Sequence, residues 1–256
     1  MCTWTYTWQH GRQLAGMSKS GTNIAYGYDS DGKRITKTVN GTAYNYHYLG
    51  DQLVELTWGG NKLHFTYDST GPLSVNYNGT EYFYVKNAQG DVTGLVTTSG
   101  TRVVTYTYDA WGNLLTTTGS LATTLGEQNP LRYRGYVYDT ETGLYYLQSR
   151  YYNPGWGRFI NADGYASTGQ GIIGNNMFAY CGNNPVKHLD SQGTFFKEIG
   201  GFFKRVLSNL KRNFTMKANV SRVYNRKTIY FGGLITVERG TTVKTTTSPN
   251  RKMQKQ

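Results

Sequence analysis

Few residues in this 256-residue chain carry groups suited to covalent or metal chemistry. Its histidines are His10, His47, His64 and His188, and no two stand at a metal-ligand spacing. His47 lies among alternating tyrosines and reads as a strand residue. Cys2 and Cys181 are too few for a disulfide framework or a zinc site. Cys181 has no His or Asp triad context, so it is expected to pack in the core region. The glycine-rich places are turns, with no phosphate loop and no dinucleotide fingerprint. No cofactor and no metal are therefore expected.

The carboxylates recur instead in one phrase. It reads Tyr28-Asp29-Ser-Asp-Gly32, then Tyr67-Asp68-Ser-Thr-Gly71, then Tyr108-Asp109-Ala-Trp-Gly112, with a longer form at Tyr138-Asp139-Thr-Glu-Thr-Gly143. A half-repeat, Asn87-Ala-Gln-Gly90-Asp91, falls between the second and third. Such repetition has to be interpreted before any single motif. In each phrase the Asp is expected to start a turn through its side-chain acceptor, and the Gly to take the positive-φ position. These Asp residues are turn formers, not catalysts.

The elements that carry the phrases are strands. Runs such as Thr42-Ala-Tyr44-Asn-Tyr46-His-Tyr48 alternate, placing every second side chain on one face. Further turns fall at Asn40-Gly41, Asn78-Gly79 and Ser99-Gly100. Turns about ten residues apart predict a long antiparallel meander. Tyr suits a sheet with one wet face, because its ring packs while its hydroxyl finds water or backbone. Composition agrees: 23 Tyr and 32 Gly, with only 16% charged residues where about 25% is usual. Aromatics at 15% exclude a disordered chain. No stretch approaches the ~18 apolar residues of a membrane-spanning helix. The first residues lack the basic and apolar regions of a signal peptide, so export is expected by a route not written here.

From Arg132 the sequence becomes dense: Arg134-Gly-Tyr-Val-Tyr138-Asp-Thr-Glu-Thr-Gly-Leu-Tyr145-Tyr-Leu-Gln-Ser-Arg150-Tyr-Tyr-Asn-Pro154, then Gly157-Arg158-Phe-Ile-Asn-Ala-Asp163. Later come Ala179-Tyr-Cys-Gly-Asn183-Asn-Pro185 and Asp190-Ser-Gln-Gly193. This closely resembles the Rhs-repeat-associated core region, and the upstream phrases resemble its YD repeats, over roughly residues 1–194. The resemblance implies a mainly β chain. Residues 1–131 are an antiparallel YD-repeat hairpin meander, a segment of an Rhs β-cocoon shell. Residues 132–194 are the core that closes it, and 195–256 a small α+β basic tail. It also implies an encapsulated toxin released by aspartyl-type self-cleavage. The implied partners are upstream Rhs repeats, secretion or toxin-complex machinery, and an immunity protein for the tail. The place of action is outside the producing cell or on its surface.

Three residues match the self-cleavage positions of that family: Arg150, Asp163 and Asp190. The residue types suit the reaction. Two close carboxylates do not both ionise easily, so one keeps a proton. The ionised one activates water while the other donates to the carbonyl, and an arginine orients both. The expected cut lies between Thr194 and Phe195. Here Ser191 and Thr194 stand where the family pattern has Pro and Leu.

The net charge of +12 is not spread evenly. Residues 1–194 balance thirteen Lys and Arg against thirteen Asp and Glu, whereas 195–256 set fourteen against Glu198 and Glu238. Apolar residues at 195, 199, 202, 203, 206, 207, 210 and 214 predict a basic amphipathic helix, and the runs around Gly232-Gly233 a hairpin. Lys204, Arg205, Lys211, Arg212, Arg226 and Lys227 are candidates for binding nucleic acid or an anionic membrane. Lacking His, Cys and Asp, the tail has little for an enzyme to use. Glu238 with nearby Arg226 and Lys227 leaves a metal-independent ribonuclease open. The rival class is a YD-repeat adhesion or interaction protein, similar to teneurins, with an inert tail.

Overall fold

The computed structural model describes residues 3–164 and 176–194, with the backbone of 197–198, 243–244 and 254–255. Twelve strands form one sheet: β1 (Thr5–Gln9), β2 (Gln13–Lys19), β3 (Thr22–Tyr28), β4 (Arg34–Val39), β5 (Thr42–Leu49), β6 (Gln52–Trp58), β7 (Asn61–Asp68), β8 (Gly71–Tyr77), β9 (Thr80–Lys86), β10 (Val92–Thr97), β11 (Arg102–Tyr108) and β12 (Leu114–Thr118). Each pairs with the next in sequence order, so the sheet is an uninterrupted antiparallel meander.

The repeated phrase builds this strip as its chemistry predicts. The Asp29 carboxylate accepts from the Asp31 and Lys33 amides at 3.0 and 2.8 Å. Asp68 accepts from Thr70 at 2.7 Å, and Asp109 from Trp111 and Asn113 at 2.8 and 2.9 Å. Asn87 does the same for Gln89 and Asp91 in the half-repeat. Gly32, Gly71 and Gly112 all take positive φ. Each preceding Tyr reaches across its hairpin to a carbonyl: Tyr28 to Leu14 at 2.6 Å, Tyr67 to Leu53 at 2.8 Å, Tyr108 to Val92 at 2.8 Å. The register shifts just before each of these Tyr residues, a bulge that sharpens the local twist.

The fourth phrase corrects the sequence expectation. Asp139 does not cap its turn with its side chain. Its backbone carbonyl closes the turn, accepting from Thr142 and Gly143 at 3.2 and 2.9 Å. The longer turn thereby frees the carboxylate, which is fully buried against Arg34 of β4. Arg34 donates Nη1 to Oδ2 at 2.5 Å and Nη2 to Oδ1 at 3.1 Å. Lys37 joins at 3.2 Å and also pairs with Glu141 at 2.8 Å. Burial pushes the Asp139 carboxyl up, but Arg34 and Lys37 outweigh it and hold it below the ordinary value. The Arg34 guanidinium lies over the rings of Tyr146 and Tyr46 at 4.5 and 4.6 Å.

A second sheet, β13 (Val137–Asp139), β14 (Leu144–Leu147), β15 (Arg150–Asn153) and β16 (Arg158–Phe159), is antiparallel throughout. Alternation splits the faces of β14 and β15. Tyr146 and Tyr151 enter the core of the strip with Leu63, Phe65 and Val75. Tyr145 and Tyr152 join Tyr133, Tyr136, Phe159 and Tyr180 in a second, aromatic core. Burying one such side chain contributes about 1.5–3 kcal/mol. The hydroxyls are satisfied on the third YD turn: Tyr133 donates to Ala110, Tyr152 to Trp111 and Tyr145 to Gly112, at 2.9, 2.7 and 2.8 Å. Gly112 has no alternative there, since a Cβ would stand 2.6 Å from the Tyr133 ring.

The chain divides into two compact units, 1–199 and 200–256. Within the first, β17 (His188–Leu189) pairs with β18 (Lys197–Glu198), so the 190–196 segment joins two paired strands. In the second, Val243–Lys244 pairs with Gln254–Lys255. The expected basic helix, the Gly232-Gly233 hairpin, Phe195, Lys204, Arg205, Lys211, Arg212, Arg226 and Lys227 lie outside the described residues.

Candidate functional site

Three segments far apart in sequence meet at Arg150. The β14–β15 hairpin turns through Gln148 and Ser149, with Gln148 at φ 62°, and presents Arg150 opposite Leu147. Asp163 follows β16, its amide donating to the Met177 carbonyl at 3.0 Å. Asp190 follows β17. All three are buried, at 3, 6 and 2% exposure. The same Arg150 Nη2 stands 3.0 Å from Asp163 Oδ2 and 3.5 Å from Asp190 Oδ2. The positions named from the core signature therefore form one cluster.

Arg150 also holds the 190–194 loop. Its Nε donates to the Gly193 carbonyl and its Nη1 to Met177 at 2.9 Å, while Cζ sits 3.6 Å over the Phe159 ring. Asp190 Oδ1 gathers the amides of Gln192, Gly193 and Thr194 at 3.3, 2.8 and 3.2 Å. The loop is thus wrapped around one carboxylate. Gly193 takes φ 68°, and a Cβ there would stand 2.6 Å from the Leu147 carbonyl. No other residue fits without moving β14.

Burial pushes the Asp190 carboxyl above the usual carboxylate range, against the pull of Arg150 and the three amides. Burial also lowers the Arg150 guanidinium, against both aspartates. One arginine thus faces two carboxylates, and one of these is biased towards its neutral form. Such a pair can hold a single proton and offer both a base and an acid. Cys181 is buried, and burial pushes its thiol up to about 12, which disfavours the thiolate.

Sequence reasoning missed several supporting residues. Ser149 Oγ donates to the Gln192 and Gly193 carbonyls at 2.7 and 2.8 Å. Asn161 accepts from the Tyr151 amide at 2.9 Å and donates to the Ser149 carbonyl at 3.4 Å, bracketing Arg150. Only their places beside Arg150 and Asp163 could have signalled them. Gln192 Nε2 donates to Asp51 at the β5–β6 turn, at 3.0 Å; its sequence separation leaves no local signal.

Comparison with known proteins fits this architecture. The teneurin YD-shell family model matches residues 5–186. The chain is 43% identical over 197 residues to the tRNA3(Ser)-specific nuclease WapA of Bacillus spizizenii, covering 74% of this chain and 8% of that protein. It is 38% identical over 86 residues to the double-stranded DNA deaminase toxin A of Burkholderia cenocepacia, covering 34% and 6%. In fold it is similar to the crystal structures of TcdB2-TccC3-Cdc42, with TM-score 0.61, 20% identity and coverage of 75% and 10%, and of TcdB2-TccC3, with TM-score 0.53, 22% identity and coverage of 74% and 10%. This chain spans less than a tenth of the length of the WapA relative. Among the described residues no helix is long and apolar enough to cross a membrane. On its meander of YD phrases, its aromatic core sheet and a match over most of its length, the chain belongs to the teneurin YD-shell family.

Proposed function

We propose that this chain is part of the shell of an Rhs/YD-repeat toxin, and that its core cuts the chain to free residues 195–256. In this reading 1–131 are shell repeats, 132–194 the core and 195–256 the cargo. The observation that carries it is the shared Arg150 Nη2 between Asp163 and Asp190, with the 190–194 loop bound to the same groups. Asp190, biased towards its neutral form, bears the shared proton. Asp163 takes a proton from water, which adds to the Thr194 carbonyl carbon. The C–N bond to Phe195 then breaks, and its nitrogen receives the proton from the pair.

Intact-mass measurement of the purified chain tests this. Wild type should yield two fragments meeting after Thr194, while Asp163→Asn and Asp190→Asn should stay whole. An uncut wild type overturns the reading. The freed tail, with its whole-chain excess of positive charge, is directed to nucleic acid; the nuclease names of the WapA relatives support this target class. Binding of tRNA by the full chain, weakening steeply with salt, is the expected result; leakage of anionic vesicles instead assigns the tail to membranes. Export then depends on delivery machinery and producer safety on an immunity protein.

A second reading, a surface-interaction YD protein, draws on 30% identity over 203 residues to the salivary gland surface protein 1 of Aedes aegypti, covering 69% of this chain and 6% of that protein. Expression of residues 195–256 inside a cell separates the two: toxicity favours the cargo reading, and its absence favours the surface one.

A further inference from the structure

The 190–194 loop is held from two sides. On the inner side the core supplies the anchors. Asp190 Oδ1 takes the amides of residues 192, 193 and 194, and Arg150 Nε and Ser149 Oγ donate to the Gly193 carbonyl. On the outer side the strip meets the loop. Gln192 Nε2 donates to Asp51 Oδ2 at 3.0 Å, across 141 positions of sequence.

Asp51 stands in the two-residue turn between β5 and β6, where Leu49 pairs with Gln52 and Gly50 takes φ 58°. Such a turn has little slack, so its residues follow the two strands. Lys33, which ends the first YD turn, braces it from beside. Its Nζ donates to the Gly50 carbonyl at 2.6 Å and to Asp51 Oδ1 at 3.3 Å. The two carboxylate oxygens thus have separate tasks: Oδ1 faces Lys33 and Oδ2 faces Gln192. The Asp51 carbonyl in turn takes Gln148 Nε2 at 2.6 Å. Gln148 belongs to the β14–β15 hairpin that presents Arg150. One strip turn therefore touches both the hairpin that carries the arginine and the loop ahead of the bond.

A cavity of about 320 Å³ lies between strip and loop, its lining including Lys33, Asp51, Gln148, Ser149, Gln192 and Thr194. The loop has room to move on this side, and the Gln192 side chain spans the gap. The inner anchors include a group that exchanges the proton, since Asp190 both holds the loop and bears the proton in the same carboxyl. The Asp51 bond involves neither Asp163 nor Asp190, so it holds through the transfer.

We propose that Asp51 is a positioning residue for self-cleavage: by receiving Gln192 it keeps the loop against the Arg150 hairpin while the bond after Thr194 is attacked. This rests on the self-cleavage reading above and extends the site to the strip. Cutting then requires the β5–β6 turn to be in place, and a strip that is wrongly wound there cuts slowly.

The experiment follows the rate of cutting of the full chain by intact mass. It compares wild type, Asp51→Ala, Gln192→Ala, the double variant and Asp51→Asn. Both side chains are exposed, so neither change opens the core. Each alanine should slow the cut about five-fold, the worth of one hydrogen bond. The double variant should be no slower than the singles, because both remove the same contact. Asp51→Asn, which keeps an acceptor oxygen, should recover most of the lost rate. Singles as fast as wild type overturn the proposal. So does a double variant about 25-fold slower, the product of independent effects. An uncut wild type overturns the self-cleavage reading instead. Hydrogen exchange of the 192–194 amides then decides on Asp51, measured in the full-length Asp163→Asn chain with and without Asp51→Ala. Losing Asp51 should speed that exchange, and unchanged exchange overturns the proposal.

Discussion

Among the described residues, two clusters that bury arginine against carboxylate have opposite results. At Arg34, two cations meet two anions: Arg34 and Lys37 against Asp139 and Glu141. The main pair is bidentate, roofed by tyrosine rings, and holds the Asp139 carboxyl below its ordinary value. At Arg150 one guanidinium is divided between two aspartates through a single nitrogen, and the Asp190 carboxyl is pushed up. The first arrangement fixes ionisation and welds strip to core sheet. The second biases the Asp190 carboxyl towards its neutral form, which suits proton transfer. Sharing of donors, not burial, separates the bidentate pair from the cluster in which one carboxyl is biased towards its neutral form.

The comparison breaks most readily at Asp139. Asp139→Asn leaves Arg34 and Lys37 buried beside a neutral partner, and should destabilise the chain by about 3–5 kcal/mol in denaturant unfolding. A loss of only a few tenths would make the weld ornamental. Gly193→Ala comes next: strain at positive φ and the clash with Leu147 should cost about 1–3 kcal/mol and stop the cut. Tyr67→Phe, which removes a single strip hydrogen bond, should cost about 1 kcal/mol. Asp190→Asn should stop the cut yet leave stability at neutral pH unchanged or slightly higher, by about 0.5 kcal/mol. A large loss there would mean that Asp190 welds after all.

Acid sharpens the same contrast. The lowered Asp139 carboxyl contributes stability above the ordinary carboxylate value and loses it as pH falls through its folded value. The raised Asp190 carboxyl does the reverse. Its contribution is present below the ordinary value and is lost as pH rises through the folded one. Denaturation midpoints across the acid range should therefore lose their steepest fall in Asp139→Asn. In Asp190→Asn they should lose the decline on the rising side.

Local chemistry was legible in the chain, and distant partnership was not. Alternation and the Asp and Gly of each phrase specify strands and turns within a few residues, and Asp29, Asp68 and Asp109 behave as that chemistry demands. Asp139 carries the same phrase with one extra turn residue, and there the backbone carbonyl alone closes the turn while the side chain goes to Arg34, 105 positions away. The Arg150, Asp163 and Asp190 positions could be named from a dense signature. The contact of Gln192 with Asp51 could not, because the two stand 141 positions apart. Pairings made across the full winding of the strip leave no periodicity to detect.

The tyrosine that opens each phrase has a consequence for how the strip comes apart. A free hairpin has one closed corner, the turn, and one loose corner from which it unravels. Tyr28, Tyr67 and Tyr108 each bolt the loose corner of their own hairpin to the facing carbonyl. Breathing from strand ends is thereby suppressed, and amides flanking those three residues should exchange as slowly as those in mid-strand. The strip then opens by whole hairpins or not at all, like a fabric hemmed along both selvedges.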